Sequence, residues 1–195
     1  PLTVAEAYTR LASEPDAVIV GGGFFLRQSS RSIGAALDLS RAGLDFIRET
    51  DEGIEIGAMT NFTALARSAL LQENLGGLIP ATVAHLPGTQ MRNLVSVGGT
   101  VFGRYGFSEL LTSLLALDGR VVLHHGGTLS LADFLAMKGK LVDVIEKVVL
   151  KKRPLHASYQ VFRHSAGSLP ILSVAVTRSS RDYRIAVGGR PGVAA

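Results

Sequence analysis

Two glycine-rich segments constrain this chain more than any other feature. Val20-Gly21-Gly22-Gly23-Phe24 follows the apolar run 17–20, and Ser96-Val97-Gly98-Gly99-Thr100 follows the strand-like run 93–97. Glycine admits positive φ and lets another group come within contact distance of the backbone amides. Successive amides turned to one side of a loop make a concavity suited to an anion. One such loop reads equally well as an ordinary tight turn. Two of them, each leaving an apolar run, are expected to grip a diphosphate from both sides.

The rest of the composition sets the scale. The chain has 195 residues, of which 47% are hydrophobic and 18% charged, enough for a sizeable core and too apolar for disorder. No apolar run approaches the roughly 18–20 uncharged residues of a membrane span. No signal peptide is visible, and because residue 1 is proline there is room for a short leader ahead of it. Cysteine is absent, which excludes thiolate metal ligands, a cysteine nucleophile and an iron–sulfur cluster held by these residues. A cytoplasmic location is expected. Twenty basic residues stand against sixteen acidic ones. The one dense basic run, Lys147 to Arg153, lacks interleaved aromatics and reads as a solvated strand end rather than a nucleic-acid surface.

Along the chain, Thr3-x-x-Glu6 reads as a capping box opening a first helix, and Pro15-Asp16 leads from it into a strand at 17–20. A short strand is expected at 34–39 and a hairpin over 44–59, turning at Thr50-Asp51-Glu52-Gly53. Thr60 is expected to cap one helix running to residue 71, followed by a second over 75–84 that ends at His85-Leu86-Pro87-Gly88. Further helices are placed at 107–117 and 131–137, with strands at 119–124 and 141–150. From residue 155 the pattern becomes strand alternation, at 158–163, 171–178 and 183–188, with a turn at Ser179-Ser180-Arg181-Asp182. A Gly/Pro/Ala tail covers 188–195. A domain boundary is expected near Pro154. The fold class is α+β, and the three last strands must either pack on the preceding domain or form part of an incomplete one.

At the second glycine segment the chain resembles a known family. Gln90-Met91-Arg92-Asn93-Leu94-Val95-Ser96-Val97-Gly98-Gly99-Thr100, then Phe107-Ser108-Glu109-Leu110, then Leu114-Leu115-Ala116-Leu117-Asp118, resemble the FAD-binding subunit of the molybdenum hydroxylases, the xanthine dehydrogenase and carbon monoxide dehydrogenase family. Val20 to Leu26, Ile56-Gly57-Ala58-Met59-Thr60, Leu129 to Phe134 and Tyr159 through Gly189 continue the likeness in order, so it covers nearly the whole chain. The nearest likeness is to a divergent bacterial group.

The resemblance implies a fold of the vanillyl-alcohol-oxidase type, also called PCMH-type. Two α+β subdomains, roughly 1–57 and 58–154, would hold FAD between them. Residues 155–195 would give three antiparallel strands of a C-terminal domain, whose helices are expected beyond residue 195. It also implies an electron relay from a molybdopterin subunit, through an iron–sulfur subunit, to FAD and on to NAD or another acceptor, with clusters and molybdenum on partner chains. Carried over by position, Val20, Gly21, Gly22, Gly23, Phe24 and Phe25 on one side, and Ser96, Gly98, Gly99 and Thr100 on the other, lie against the FAD diphosphate. Glu109 stands where the family has an aspartate near the ribose. Val144 and Ile145 border the flavin ring.

Several positions depart from the family pattern. Gly23 and Phe24 replace small polar residues, Thr100 replaces an asparagine, and Val161 and Ser168 replace a lysine and an aspartate of the tail motif. Arg104, an added charge beside the second segment, is expected to pair with a phosphate. These departures keep open a second reading, a scaffold or assembly module that no longer binds flavin.

Other candidates carry less. Leu26 occupies the place of the third glycine of G-x-G-x-x-G, which disfavours a Rossmann dinucleotide fold. Phe24 and Phe25 read as packing residues rather than flavin stackers. His124-His125 lacks a third ligand and reads as a strand end, not a metal site. No Ser–His–Asp arrangement has supporting spacing, and no catalytic residue is assigned.

Overall fold

The computed structural model describes residues 1–28, 30, 32–180, 182–189 and 194. Arg181, named above in a turn, and most of the tail after residue 189 lie outside the described residues. Helix α1 (Val4–Ser13) is capped by Thr3, whose hydroxyl accepts the Glu6 amide at 3.1 Å. Strands β1 (Ala17–Val20) and β2 (Ala35–Asp38) form a two-stranded parallel sheet, with Val20 opposite Asp38.

A five-stranded antiparallel sheet lies beside it, built from β3 (Ile47–Thr50), β4 (Gly53–Gly57), β5 (Arg120–Leu123), β6 (Gly127–Ser130) and β7 (Ile145–Leu150) in the order β3-β4-β7-β5-β6. The expected subdomain division at residue 57 therefore does not coincide with a sheet boundary. β4 hydrogen-bonds to β7, because its five buried residues need a partner strand on each side.

Helices fill the interval between β4 and β5: α2 (Phe62–Arg67), α3 (Ala69–Glu73), α4 (Leu78–Ala84), α5 (Thr89–Leu94), α6 (Val97–Gly103) and α7 (Glu109–Ala116). α8 (Leu131–Ala136) follows β6. The single helix expected from Thr60 is two. Asn61 caps α2 by accepting the Ala64 amide at 2.8 Å, and Ser68, extended at ψ 113, caps α3. Short polar side chains that bond their own backbone favour such breaks. The Thr60 hydroxyl instead donates to the Phe46 carbonyl at 2.9 Å. The strand expected at 141–150 begins only at Ile145, since Asp143 accepts the amides of His125, Gly126 and Val144 and holds the chain in a turn.

The last three strands, β8 (His156–Phe162), β9 (Leu172–Arg178) and β10 (Tyr183–Gly188), form an antiparallel meander. Its inner face carries small residues (Ser173, Ala175, Thr177, Ala186) and lies on α7. The Thr177 hydroxyl donates to the Ala116 carbonyl at 2.8 Å, and Ala175 and Ala186 join the same core as Leu110, Leu111 and Leu114. The chain changes sheet near Pro154, but the core runs across that point. The outer face leaves Phe162, Leu172 and Ile185 exposed. Among the described residues no helix is long and apolar enough to cross a membrane.

One buried charge belongs to the central sheet. Glu55, on β4, accepts from Arg48 directly opposite on β3 at 2.8 Å and from Lys147 on β7. Burial pushes its carboxyl upward, but the hydrogen bonds from Lys147 and Arg48 outweigh it, so the group titrates below the usual carboxylate range. A depressed folded-state value contributes stability that is present above the unfolded value of about 4.3 and is lost as pH falls through the folded one. Glu55→Gln is therefore expected to lower stability at neutral pH by about 1–3 kcal/mol, in the range for hydrogen bonds to charged groups. Urea unfolding across pH should show the variant and the parent protein converging in acid.

Candidate functional site

The first glycine segment leaves β1 and turns at Gly22 (φ +77°) and Gly23 (φ +72°), both in the left-handed region. Gly22 also sits hard against α5: a Cβ there would stand 1.7 Å from the Leu94 carbonyl oxygen, so a side chain is excluded twice over. The amides of Gly22, Gly23, Phe24 and Phe25 donate to no main-chain carbonyl among the described residues. They are the unsatisfied donors that the sequence called for.

The second segment is not a turn after a strand. Residues 89–94 are helical, and Ser96 caps α6 by accepting the Gly99 amide at 3.2 Å, so the glycine pair lies in a helical first turn. Its amides are spoken for: Val97 donates to Thr60 O at 3.0 Å, Gly98 to Ala58 O at 2.7 Å and Thr100 to Ser96 O at 3.0 Å. The expected grip by amides from both sides is thus corrected to one side. Gly98 acts as a spacer, since a Cβ there would meet the Ala58 Cβ at 2.7 Å and push α6 off the end of β4. The two segments are joined directly, by the Ser96 hydroxyl donating to the Gly21 carbonyl at 3.1 Å.

Between them lies a cavity of about 290 Å³, at the small end of the size range of cofactor pockets. Gly21, Gly23, Phe24 and Phe25 line one end, Gly98, Gly99 and Thr100 a wall, and Leu141 and Ile145 another. Thr100 is 4% exposed and its hydroxyl has no partner. A buried hydroxyl left unpaired costs about 1–3 kcal/mol, which a ligand's polar group repays. Phe25 and Tyr105 lie at 4.7 Å between ring centroids, and Tyr105 stacks on Phe107 at 5.1 Å and 14°. Lys140 and Asp143 also line the cavity. The Lys140 ammonium donates to the Pro15 carbonyl at 3.2 Å, and Asp143 is occupied by the three amides named above.

Other expected site residues are placed elsewhere. Val144 is wholly buried and passes its carbonyl to the His124 amide. Arg104, at φ +49°, donates to the Met137 carbonyl at 2.6 Å and lays its guanidinium 4.6 Å from the Phe134 ring centroid, while its Nε has no partner among the described residues. Glu109 is 2% exposed and its carboxylate is engaged, by Arg163 at 2.7 Å and by the Tyr159 hydroxyl. Burial first, and then the bond to Glu109, hold the Tyr159 phenol protonated far above its usual range. An open carboxylate awaiting ribose hydroxyls is therefore replaced by a closed ion pair, because Arg163 comes within reach from β8. That pairing escaped the sequence reading, although Tyr159 and Arg163 share strand parity and so face α7 together. His124 is bound to Glu146 at 2.7 Å and Tyr8 stacks on His125 at 5.3 Å, so both rings are packing groups.

Residues 1–151 match the family described as the FAD binding domain in molybdopterin dehydrogenase. The chain belongs to that family. YgfM of Escherichia coli K12, itself uncharacterized, is 32% identical over 161 residues, which is 79% of this chain and 58% of that protein. The xanthine dehydrogenase FAD-binding subunit of Escherichia coli O157:H7 is 27% identical over 128 residues, 63% of this chain and 44% of that subunit. The chain thus spans about half the length of these relatives. Among solved structures, carbon monoxide dehydrogenase from Hydrogenophaga pseudoflava superposes with a TM-score of 0.92 at 23% identity, over all of this chain and 75% of that one, which establishes the fold.

FAD is accordingly the cofactor of this FAD-binding domain, and the residues fit it. The first loop offers free amides to a diphosphate, the cavity walls are largely apolar, and the unpaired Thr100 hydroxyl points to a polar ligand atom. Ser96→Ala removes both a helix cap and the tie to Gly21. A loss of about 1–3 kcal/mol in urea unfolding is expected, with faster hydrogen exchange at the Gly99 amide, whose acceptor is removed.

Proposed function

We propose that this chain is the FAD-carrying part of a multi-subunit molybdopterin dehydrogenase of the xanthine dehydrogenase type, built on a two-subdomain fold of the vanillyl-alcohol-oxidase kind. In this reading it relays electrons from iron–sulfur clusters on a partner subunit, themselves fed by a molybdopterin subunit, to NAD or another acceptor. The observation that carries the proposal is the loop 21–25, which borders a cavity and whose amides at 22–25 donate to no main-chain carbonyl among the described residues, in a chain that belongs to a family of FAD-binding domains. The absence of cysteine supports the division of labour, since thiolate-held clusters need ligands these residues do not provide. The name of the Escherichia coli xanthine dehydrogenase FAD-binding subunit, a relative, supports the assembly.

Bound FAD supplies the redox chemistry; the chain supplies binding, orientation and electrostatics. Loop 21–25 would hold the diphosphate through backbone amides. Leu141 and Ile145 would exclude water from the cavity. Val97 and Gly98, bonded to Thr60 and Ala58, would keep α6 at a fixed distance from the sheet.

Two measurements test the reading. Titration of the flavin-free protein with FAD should give saturable one-site binding with flavin bands in the absorbance. A protein that stays colourless at high FAD identifies a scaffold module and sinks the relay. The FAD-loaded protein, reduced and mixed with NAD, should then form NADH; reoxidation by another acceptor alone removes NAD from the scheme.

A further inference from the structure

The segment that joins α8 to β7 runs along the cavity, and its residues Lys140 and Leu141 belong to the lining. It is clamped at both ends. Met137 closes α8, its amide on the Asp133 carbonyl at 3.1 Å and its own carbonyl taking the Arg104 guanidinium at 2.6 Å. At the other end the buried Asp143 holds the amides of His125, Gly126 and Val144. Between these clamps residues 138–142 form no helix or strand, and none of their main-chain groups bonds another main-chain group among the described residues. Leu141 is half-buried against the core, while Lys138, Gly139, Lys140 and Val142 are exposed. One polar contact holds the middle. The Lys140 ammonium donates at 3.2 Å to the Pro15 carbonyl, 125 positions away in the turn between α1 and β1. Leu11 and Ala17, on either side of that turn, line the same cavity.

We infer that residues 138–142 are a strap that opens to admit FAD and closes over it, with Lys140 as its latch. The inference rests on the FAD reading above. A ligand largely enclosed by its pocket needs a way in, and segments that make few bonds open at the least cost. Here opening breaks one exposed hydrogen bond and the contacts of Leu141. The clamps at Met137 and Asp143 keep the ends in place while the middle swings. Gly139 supplies the bend. It stands at φ +90°, and a Cβ there would meet nothing within 4 Å, so backbone conformation and not packing sets the turn. Elsewhere the cavity wall is pinned, by Gly22 against Leu94 and by the Ser96 hydroxyl on the Gly21 carbonyl. The α1 side of the latch is held as well, since Tyr8 stacks on His125, whose amide is bound to Asp143.

Stopped-flow mixing of FAD with the flavin-free protein reads the gate, because a latch slows entry and exit alike. Lys140→Met removes the ammonium and keeps an apolar stem. Association and release are both expected to rise about fivefold, the factor set by one hydrogen bond of ordinary net strength, with Kd changed less than either rate. Gly139→Ala strains the closed turn, leaves the latch in place and is expected to act in the same direction. A second readout needs no cofactor. Trypsin cuts after Lys138 only once the strap has opened, so Lys140→Met is expected to speed that cut in the flavin-free protein, with the urea midpoint at its parental value. The strap requires all three increases in Lys140→Met. Parental FAD rates, parental cleavage, or faster release without faster association (the mark of a direct contact between Lys140 and FAD) each overturn it and leave the FAD reading intact. Failure of the parental protein to bind FAD sinks both.

Discussion

The Ser96 hydroxyl is the point on which the site is assembled. It accepts the Gly99 amide and so starts α6, and it donates its one proton to the Gly21 carbonyl and so fixes the end of β1. These bonds join residues 75 positions apart in a single atom. The amides that follow the held Gly21 carbonyl, at residues 22–25, donate to no main-chain carbonyl among the described residues. The small parallel sheet and the helical layer also meet where Gly22 lies against Leu94 of α5. A hydrogen bond of modest net energy decides their relative position because it is made twice over by one group at the seam.

The two glycine segments look alike in sequence and act differently. In the first, glycine is required by φ and by the approach of Leu94, and the amides stay free. In the second, helical geometry and the carbonyls of Ala58, Thr60 and Ser96 consume the amides, and glycine serves close packing. The first was legible because positive φ after a strand has few residue solutions. The second was misread because Leu94, Val95 and Val97 have the pattern of a strand, whereas the cap that makes a helix of 97–103 is local to Ser96. Element type over long, strongly patterned stretches, such as the last three strands, came through with boundaries shifted by a residue or two.

Charged side chains were the least legible part. Glu109, Arg104 and Asp143 each have a chemistry that suits a phosphate, a ribose or a cation, and a sequence offers no account of which partner is nearer. Folding supplies partners from far along the chain: Arg163 for Glu109, the Met137 carbonyl for Arg104, the amides of His125 and Gly126 for Asp143. A buried charge must be paired, so Glu109 and Asp143 are committed to structure before any ligand arrives.

The Glu109–Arg163 pair also changes the meaning of the last forty residues. Arg163 follows β8 directly, and Tyr159 lies within it, so the carboxylate at the start of α7 is neutralised from the C-terminal meander. The same layer meets α7 through Ala175, Ala186 and the Thr177 bond to Ala116, small groups that let sheet and helix approach closely. Without the Arg163 guanidinium, Glu109 would be a buried carboxylate with no counter-charge, a condition costing several kcal/mol. The meander is therefore not an appendage to the cofactor-binding layers. It supplies the counter-charge to a buried carboxylate of the helical layer.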